Sequence, residues 1–252
     1  MIEAKGVSKR YGRSLVVDDV TLAIPRGGIT SIIGPNGAGK STLLSMIARL
    51  AGLDAGSIHV GGLDVAATPG AVLARRLAIL RQDNHLTARL TVRDLVAFGR
   101  YPHSKGRPSK EDEAHVERAL AYLSLEDLAG RFLDELSGGQ RQRAFVAMAL
   151  CQDTDYVLLD EPLNNLDMRH AASMMRLWRR ACDELGKTVV IVLHDINFAS
   201  WHSDHLVAMR EGRVCRQGSP DEIIREEALR AIYDMDIAVH AVSGRRVCLF
   251  YE

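Results

Sequence analysis

The sequence predicts an α/β fold built around a largely parallel sheet. Three stretches carry that expectation. Residues 29–33 are a compact β-branched run that ends at Gly34 and passes through a Gly-rich loop into a helical pattern. Residues 156–160 are four apolar residues closed by a carboxylate, and residues 188–194 form a second apolar run. An amphipathic stretch over 168–185 separates the last two, so the order is strand, helix, strand, the crossover that pairs strands in parallel.

The other elements follow in order. Residues 1–30 alternate apolar and polar positions, with turn signals at Tyr11-Gly12-Arg13 and Arg26-Gly27-Gly28, and predict short strands. A helix over 40–50 places Leu43, Leu44 and Ile47 on one face, and 56–62 suggests a hairpin. From 91 to 150 the character turns helical: 91–98 is amphipathic, 110–123 follows the cap Ser109, and 140–150 is a third helix. A polar loop with two prolines, 101–109, joins the first two. The block is expected to be a helical subdomain inserted into an α/β core. The tail from 208 predicts short strands and one helix over 220–235.

Composition sets outer bounds. The chain has 252 residues, enough for a substantial core, and 32 basic side chains balance 32 acidic ones. Such neutrality gives no reason to expect nucleic acid as a partner. The four cysteines form no CxxC pair, so a zinc or redox motif is unsupported and buried, reduced thiols are expected. The N-terminus lacks the apolar run of a signal peptide, and no eighteen consecutive residues are apolar. A soluble protein that docks on a partner is expected.

Four segments carry chemistry. Gly34-Pro35-Asn36-Gly37-Ala38-Gly39-Lys40-Ser41-Thr42 fits GxxxxGK[ST] between a strand and a helix. Glycines let successive N–H groups turn inward around a phosphate, and the helix N-terminus adds partial positive charge. Lys40 brings a full charge to the outer phosphates, and the Ser41 hydroxyl can ligate Mg²⁺. Asp160 ends an all-apolar strand and so emerges at the carboxyl edge of the sheet, where a Mg²⁺-holding Asp is needed. Glu161 either orients an attacking water or caps a turn before Pro162. Leu136-Ser137-Gly138-Gly139-Gln140 opens onto another helix; it is a second anion site or a Ser N-cap with a Gly-Gly turn.

With these segments assembled, the whole chain resembles an ATP-binding-cassette (ABC) ATPase. LSGGQ followed twenty residues later by a strand ending in Asp-Glu is specific to that family. The resemblance implies a P-loop NTPase core with an N-terminal antiparallel β part and an inserted helical subdomain. The division would be a core of 1–88 and 151–252 around a signature subdomain of 89–150. ATP and Mg²⁺ are the implied cofactors. By resemblance Tyr11 stacks on adenine, and Gln82 is the Q-loop glutamine that reaches Mg²⁺ with Ser41 and Asp160. Asn165-Leu166-Asp167 resembles the D-loop. Lys40, Gln82, Glu161 and the switch histidine His194 are then the catalytic set. Two copies would pair head to tail, Ser137, Gly138, Gly139 and Gln140 of one closing over ATP held by Lys40 of the other.

Many family members have Thr after the Glu-Pro pair, whereas Leu163-Asn164-Asn165 follows here. That stretch, with Arg81-Gln82-Asp83-Asn84-His85, Phe98-Gly99-Arg100-Tyr101-Pro102 and His194-Asp195-Ile196-Asn197-Phe198-Ala199, resembles the iron–siderophore importer branch. The branch implies membrane permease subunits and an extracytoplasmic solute-binding protein as partners, with the chain peripheral on the cytoplasmic face of the bacterial inner membrane. Haem or cobalamin import is the alternative cargo, and a soluble scaffold ATPase of iron–sulfur cluster assembly the alternative class. Cassettes that clamp DNA carry long coiled-coil arms, for which the 55-residue separation of Gln82 and Ser137 leaves no room.

Other features are set aside. His202 and His205 have no Cys or further His to complete a metal set. Met168, Met174 and Met175 are expected to fill the core, and Arg176, Arg179 and Arg180 to form a solvated helix face around Trp178.

Overall fold

A computed structural model describes residues 1–81, 88–164 and 166–250. Strands β1 (Ile2–Tyr11) and β2 (Ser14–Ile24) pair antiparallel around a turn at Gly12 and are longer than the short strands expected. Ile2, Ala4 and Val7 of β1 and Val20, Leu22 and Ile24 of β2 are buried, so one face of the pair is apolar. β3 (Gly28–Ile33) leads through the Gly-rich loop into α1 (Lys40–Ile47), which stops three residues short of the expected end. β4 (Ala55–Val60) and β5 (Leu63–Asp64) make the hairpin across Gly61-Gly62. A short α2 (Gly70–Leu73) and a strand, β6 (Leu77–Leu80), follow; neither was expected, because four-residue elements carry too little periodicity.

The helical stretch contains α3 (Val92–Phe98), α4 (Tyr101–Ser104), α5 (Lys110–Tyr122) and α6 (Gly138–Cys151). Thr91, Ser109 and Ser137 cap α3, α5 and α6 through reciprocal capping boxes. The loop expected over 101–109 begins as α4, with Pro102 in its first turn, where a missing N–H costs nothing. The core resumes with β7 (Tyr156–Asp160), α7 (Met168–Leu185), β8 (Thr188–Val192) and α8 (Ile196–His202). β9 (His205–Arg210) and β10 (Arg213–Gly218) come next. The single helix expected over 220–235 is two, α9 (Pro220–Ile223) and α10 (Glu226–Tyr233), broken at Ile224 by a non-helical ψ of 76. A hairpin of β11 (Ala238–Val242) and β12 (Arg245–Leu249) packs on α8.

The strands form a four-stranded antiparallel sheet, β2-β1-β4-β5, and a six-stranded sheet, β10-β9-β3-β8-β7-β6, parallel except at β10. Pleating sorts the inner strands onto two cores. Ile29, Ile33, Val157, Leu159, Val189 and Ile191 face α6 and α7, while Ile32, Leu158, Val190 and Val192 face α1 and the antiparallel sheet. Trp178 is fully buried in the first core with Met174 and Met175. Met168 is 85% exposed, against expectation, because it opens α7 ahead of the turn that touches the sheet. Cys151, Cys182 and Cys248 are buried but Cys215, on the outer strand β10, is exposed. Arg179 is not simply solvated: its guanidinium forks onto Asp204.

Candidate functional site

Parallel register brings three strand ends to one edge. Ile32 of β3 and Asp160 of β7 are both level with Val192 of β8. One residue further on β7 lies Glu161, and two further on β3 and β8 lie Gly34 and His194, where apolar strands leave polar groups at the carboxyl edge. Parity matters as much as position. Asp160 continues the row of Tyr156 and Leu158, which faces α1, and the Ser41 hydroxyl on α1 hydrogen-bonds its carboxyl group.

The phosphate loop is closely fitted to its surroundings. Gly34 has φ +140 and is buried so tightly that a Cβ would stand 2.0 Å from the Met209 carbonyl oxygen. Gly39 has φ +93, and a Cβ there would come within 2.5 Å of the Val16 carbonyl. A Cβ at Gly37, with φ +78, would meet nothing among the described residues within 4 Å, and Asn36 beside it is exposed. Pro35 is half-buried and Ala38 buried; Ser41 and Thr42 begin α1 half-buried. Lys40 is 5% exposed, and its ammonium donates to the carbonyls of Gly34 at 2.8 Å and Pro35 at 2.9 Å. Burial lowers its pKa, opposed by the charges of Glu161 and Asp160.

Asp160 fits a cation. Burial raises its pKa, the Ser41 hydrogen bond opposing, and Oδ1 is buried with no hydrogen-bond partner among the described residues. An orphaned carboxylate oxygen beside a hydroxyl is a hard-oxygen donor set of the kind Mg²⁺ takes.

Glu161 is held on both oxygens. His194 Nε2 lies 2.6 Å from Oε1, and Asn164 Nδ2 donates to Oε2 at 2.7 Å. Its backbone is left-handed, φ +49, an uncommon conformation for a residue with a side chain. The turn after it is closed by Asn164 N–H donating to the Glu161 carbonyl at 3.2 Å, and Gln142 of α6 donates to the Pro162 carbonyl at 2.5 Å.

The segment at 137–140 forms the Ser N-cap, and that cap does not close it to an anion. Ser137 Oγ caps α6 by accepting from the Gln140 amide at 3.3 Å, and Gln140 Oε1 accepts from the Ser137 amide at 3.0 Å. The cap uses the hydroxyl as acceptor and leaves its proton and the first-turn amides of Gly138 and Gly139 for an anion. Ser137 and Gly138 are exposed. Gly139 packs on His170, whose ring would be 2.7 Å from a Cβ there. His170 is in turn tied to Asp167, the α7 cap, at 2.8 Å. Tyr11, at the end of β1, is 53% exposed. Gln82, with the rest of 81–85 beyond Arg81, and Asn165 lie outside the described residues.

A family model described as ABC transporter matches residues 17–164, from β2 through the turn after Glu161. The chain belongs to the ABC transporter family. It binds ATP, and its activity is ATP hydrolysis. Among relatives, the petrobactin import ATP-binding protein YclP of Bacillus subtilis (strain 168) is 50% identical over 252 residues, 100% of each chain. FatE of Bacillus anthracis, also a petrobactin import ATP-binding protein, is 50% identical across 95% of this chain and 96% of its own. The ATP-binding cassette MJ0796, solved as a dimer in a post-hydrolysis state with ADP and Pi, superposes with TM-score 0.75 at 29% identity, covering 87% of this chain and 99% of that one.

Sequence reasoning about this ABC ATPase missed Gln142 and His170, which act across turns of chain that no local pattern joins. Asn164 was noticed only as part of a branch-like stretch. Its spacing of three from Glu161 before a turn residue was the signal that could have paired them.

Proposed function

We propose that the chain is the ATP-hydrolysing subunit of a bacterial importer for a ferric siderophore, seated on permease subunits at the cytoplasmic face of the inner membrane and served by an extracytoplasmic binding protein. The observation that carries the cargo is end-to-end 50% identity to a petrobactin import ATP-binding protein. No helix among the described residues is long and apolar enough to cross a membrane, so passage of the chelate needs other subunits.

Each site residue has a role in this reading. The loop 34–42 cradles the phosphates, and Lys40 exchanges its two carbonyl partners for phosphate oxygens. Ser41 and Asp160, with Gln82, would hold Mg²⁺, which supplies charge neutralisation at the outer phosphates. Glu161 accepts a proton from the attacking water, and His194 turns from Glu161 to the γ-phosphate. Tyr11 stacks on adenine. Ser137, Gly138, Gly139 and Gln140 close over the nucleotide of a second copy, excluding water. Phe98 and Tyr101, 53% and 61% exposed on α3 and α4, are the docking contacts for the permease. The division into a core and a helical part over 89–150 gives closure a lever.

Deleting the gene should abolish growth on a ferric siderophore under iron limitation and spare growth on plentiful iron. Phe98→Asp should abolish radiolabelled ferric-siderophore uptake while the purified protein keeps its ATPase rate and melting temperature. Normal iron-chelate uptake in the deletion strain, with loss of another solute, would overturn the cargo.

A further inference from the structure

We infer that Asn164 is a positioning residue for hydrolysis: it fixes Glu161 Oε2 so that Oε1 is the oxygen that receives the proton of the attacking water. The inference rests on Glu161 as the water-activating carboxylate. The two oxygens of that carboxylate have different kinds of partner. Oε1 faces His194 Nε2 at 2.6 Å, a side chain 39% exposed two residues beyond the end of β8. Oε2 faces Asn164 Nδ2 at 2.7 Å, in a part-buried setting inside one short turn.

An amide is an uncharged donor that does not ionise, so the Asn164 contact persists through the reaction. The turn resists change as well. Asn164 N–H closes it onto the Glu161 carbonyl at 3.2 Å, and Gln142 anchors the intervening Pro162 carbonyl at 2.5 Å. Glu161 is held at φ +49 by these bonds, an unfavourable backbone that persists only where its surroundings over-determine it. One oxygen is therefore tethered and the other is free once His194 leaves it. A carboxylate with one oxygen pinned presents the second in a single plane, which is what proton transfer to a positioned base requires.

Removing a hydrogen bond to a charged group typically changes a rate by about tenfold to a hundredfold when the group acts in the transition state. Asn164→Ala in the full-length protein should lower kcat by about tenfold or more and leave KM for ATP within about twofold. Asn164→Asp, similar in size but without the donor, should be at least as slow, and Asn164→Gln should recover part of the rate. In a Glu161→Gln background, adding Asn164→Ala should change the residual single-turnover rate by less than about twofold, since the residue acts only through that carboxylate. Equal losses in both backgrounds, or a raised KM with a lowered melting temperature and unchanged kcat, would overturn the inference. Glu161→Gln with undiminished turnover would instead overturn the assignment beneath it.

Discussion

The phosphate loop and the signature segment are both glycine-rich entries to a helix, and they are built in opposite ways. Around the loop, Gly34 and Gly39 are walled in by backbone carbonyls of Met209 and Val16, and Lys40 is buried against the loop's own carbonyls. At the signature, a Cβ at Gly138 would meet nothing among the described residues within 4 Å, Ser137 is exposed, and the cap is satisfied within four residues. The first is a loop whose shape the surrounding chain enforces. The second is an exposed segment with open space beside Gly138 among the described residues, which is what the proposed completion by a second copy requires.

Mixing variants attacks that contrast most directly. Lys40→Ala and Ser137→Arg should each lower ATPase by about a hundredfold to a thousandfold, the range for removing a charge-stabilising contact. Only Lys40→Ala should weaken ATP binding by the isolated chain. Mixed, the two variants should regain activity, because one composite site carries both lesions and the other none. No rescue, with ATP binding lost from Ser137→Arg monomer, would mean both half-sites serve one nucleotide.

Alanine at the two glycines compares the surroundings themselves. Gly34→Ala should cost about 3 kcal/mol through its clash with Met209 and its positive φ, a fall in melting temperature of roughly 6–12 °C. Gly138→Ala has open space and helical backbone, so melting should shift by no more than about 2 °C. It should still slow hydrolysis, since the methyl group lies where the partner's phosphate must approach. A normal rate for Gly138→Ala would remove the signature from the composite site.

The smallest effect concerns how the signature helix is anchored. Buried Arg100 donates to Asp112 at 2.9 Å and to the carbonyl of Cys151, the last residue of α6, at 3.0 Å. The Ser109 amide first, and Arg100 second, bring the Asp112 pKa down to about 2. A carboxylate depressed in the folded state stabilises above its unfolded pKa and loses that contribution as pH falls through the folded value. Wild type should therefore lose about 2 kcal/mol between roughly pH 4 and pH 2 from this group. Urea unfolding at stepped pH should show the loss in wild type and not in Asp112→Asn.

Motifs whose chemistry depends on neighbours in sequence were legible in the chain itself. Gly34 to Thr42 must form a loop before a helix, the all-apolar β7 must be covered on both faces, and Asp160 must then emerge at its end. Caps at Ser109 and Ser137 follow from short polar side chains before amphipathic runs, whereas the Asp167 cap of α7 emerged only in the structure. Short elements such as β6 and α4 escaped, since four residues do not establish a period. Only the tertiary structure decided which of these local features meet. Parallel register set Gly34, Glu161 and His194 at one edge, and strand parity turned Asp160 toward Ser41. Folding alone brought Gln142 to Pro162, Gly139 to His170 and Arg100 to Asp112 and Cys151. Propensity and periodicity act over a turn of chain, whereas these contacts join residues 12 to 51 apart, and distances of that kind are chosen by how whole elements pack.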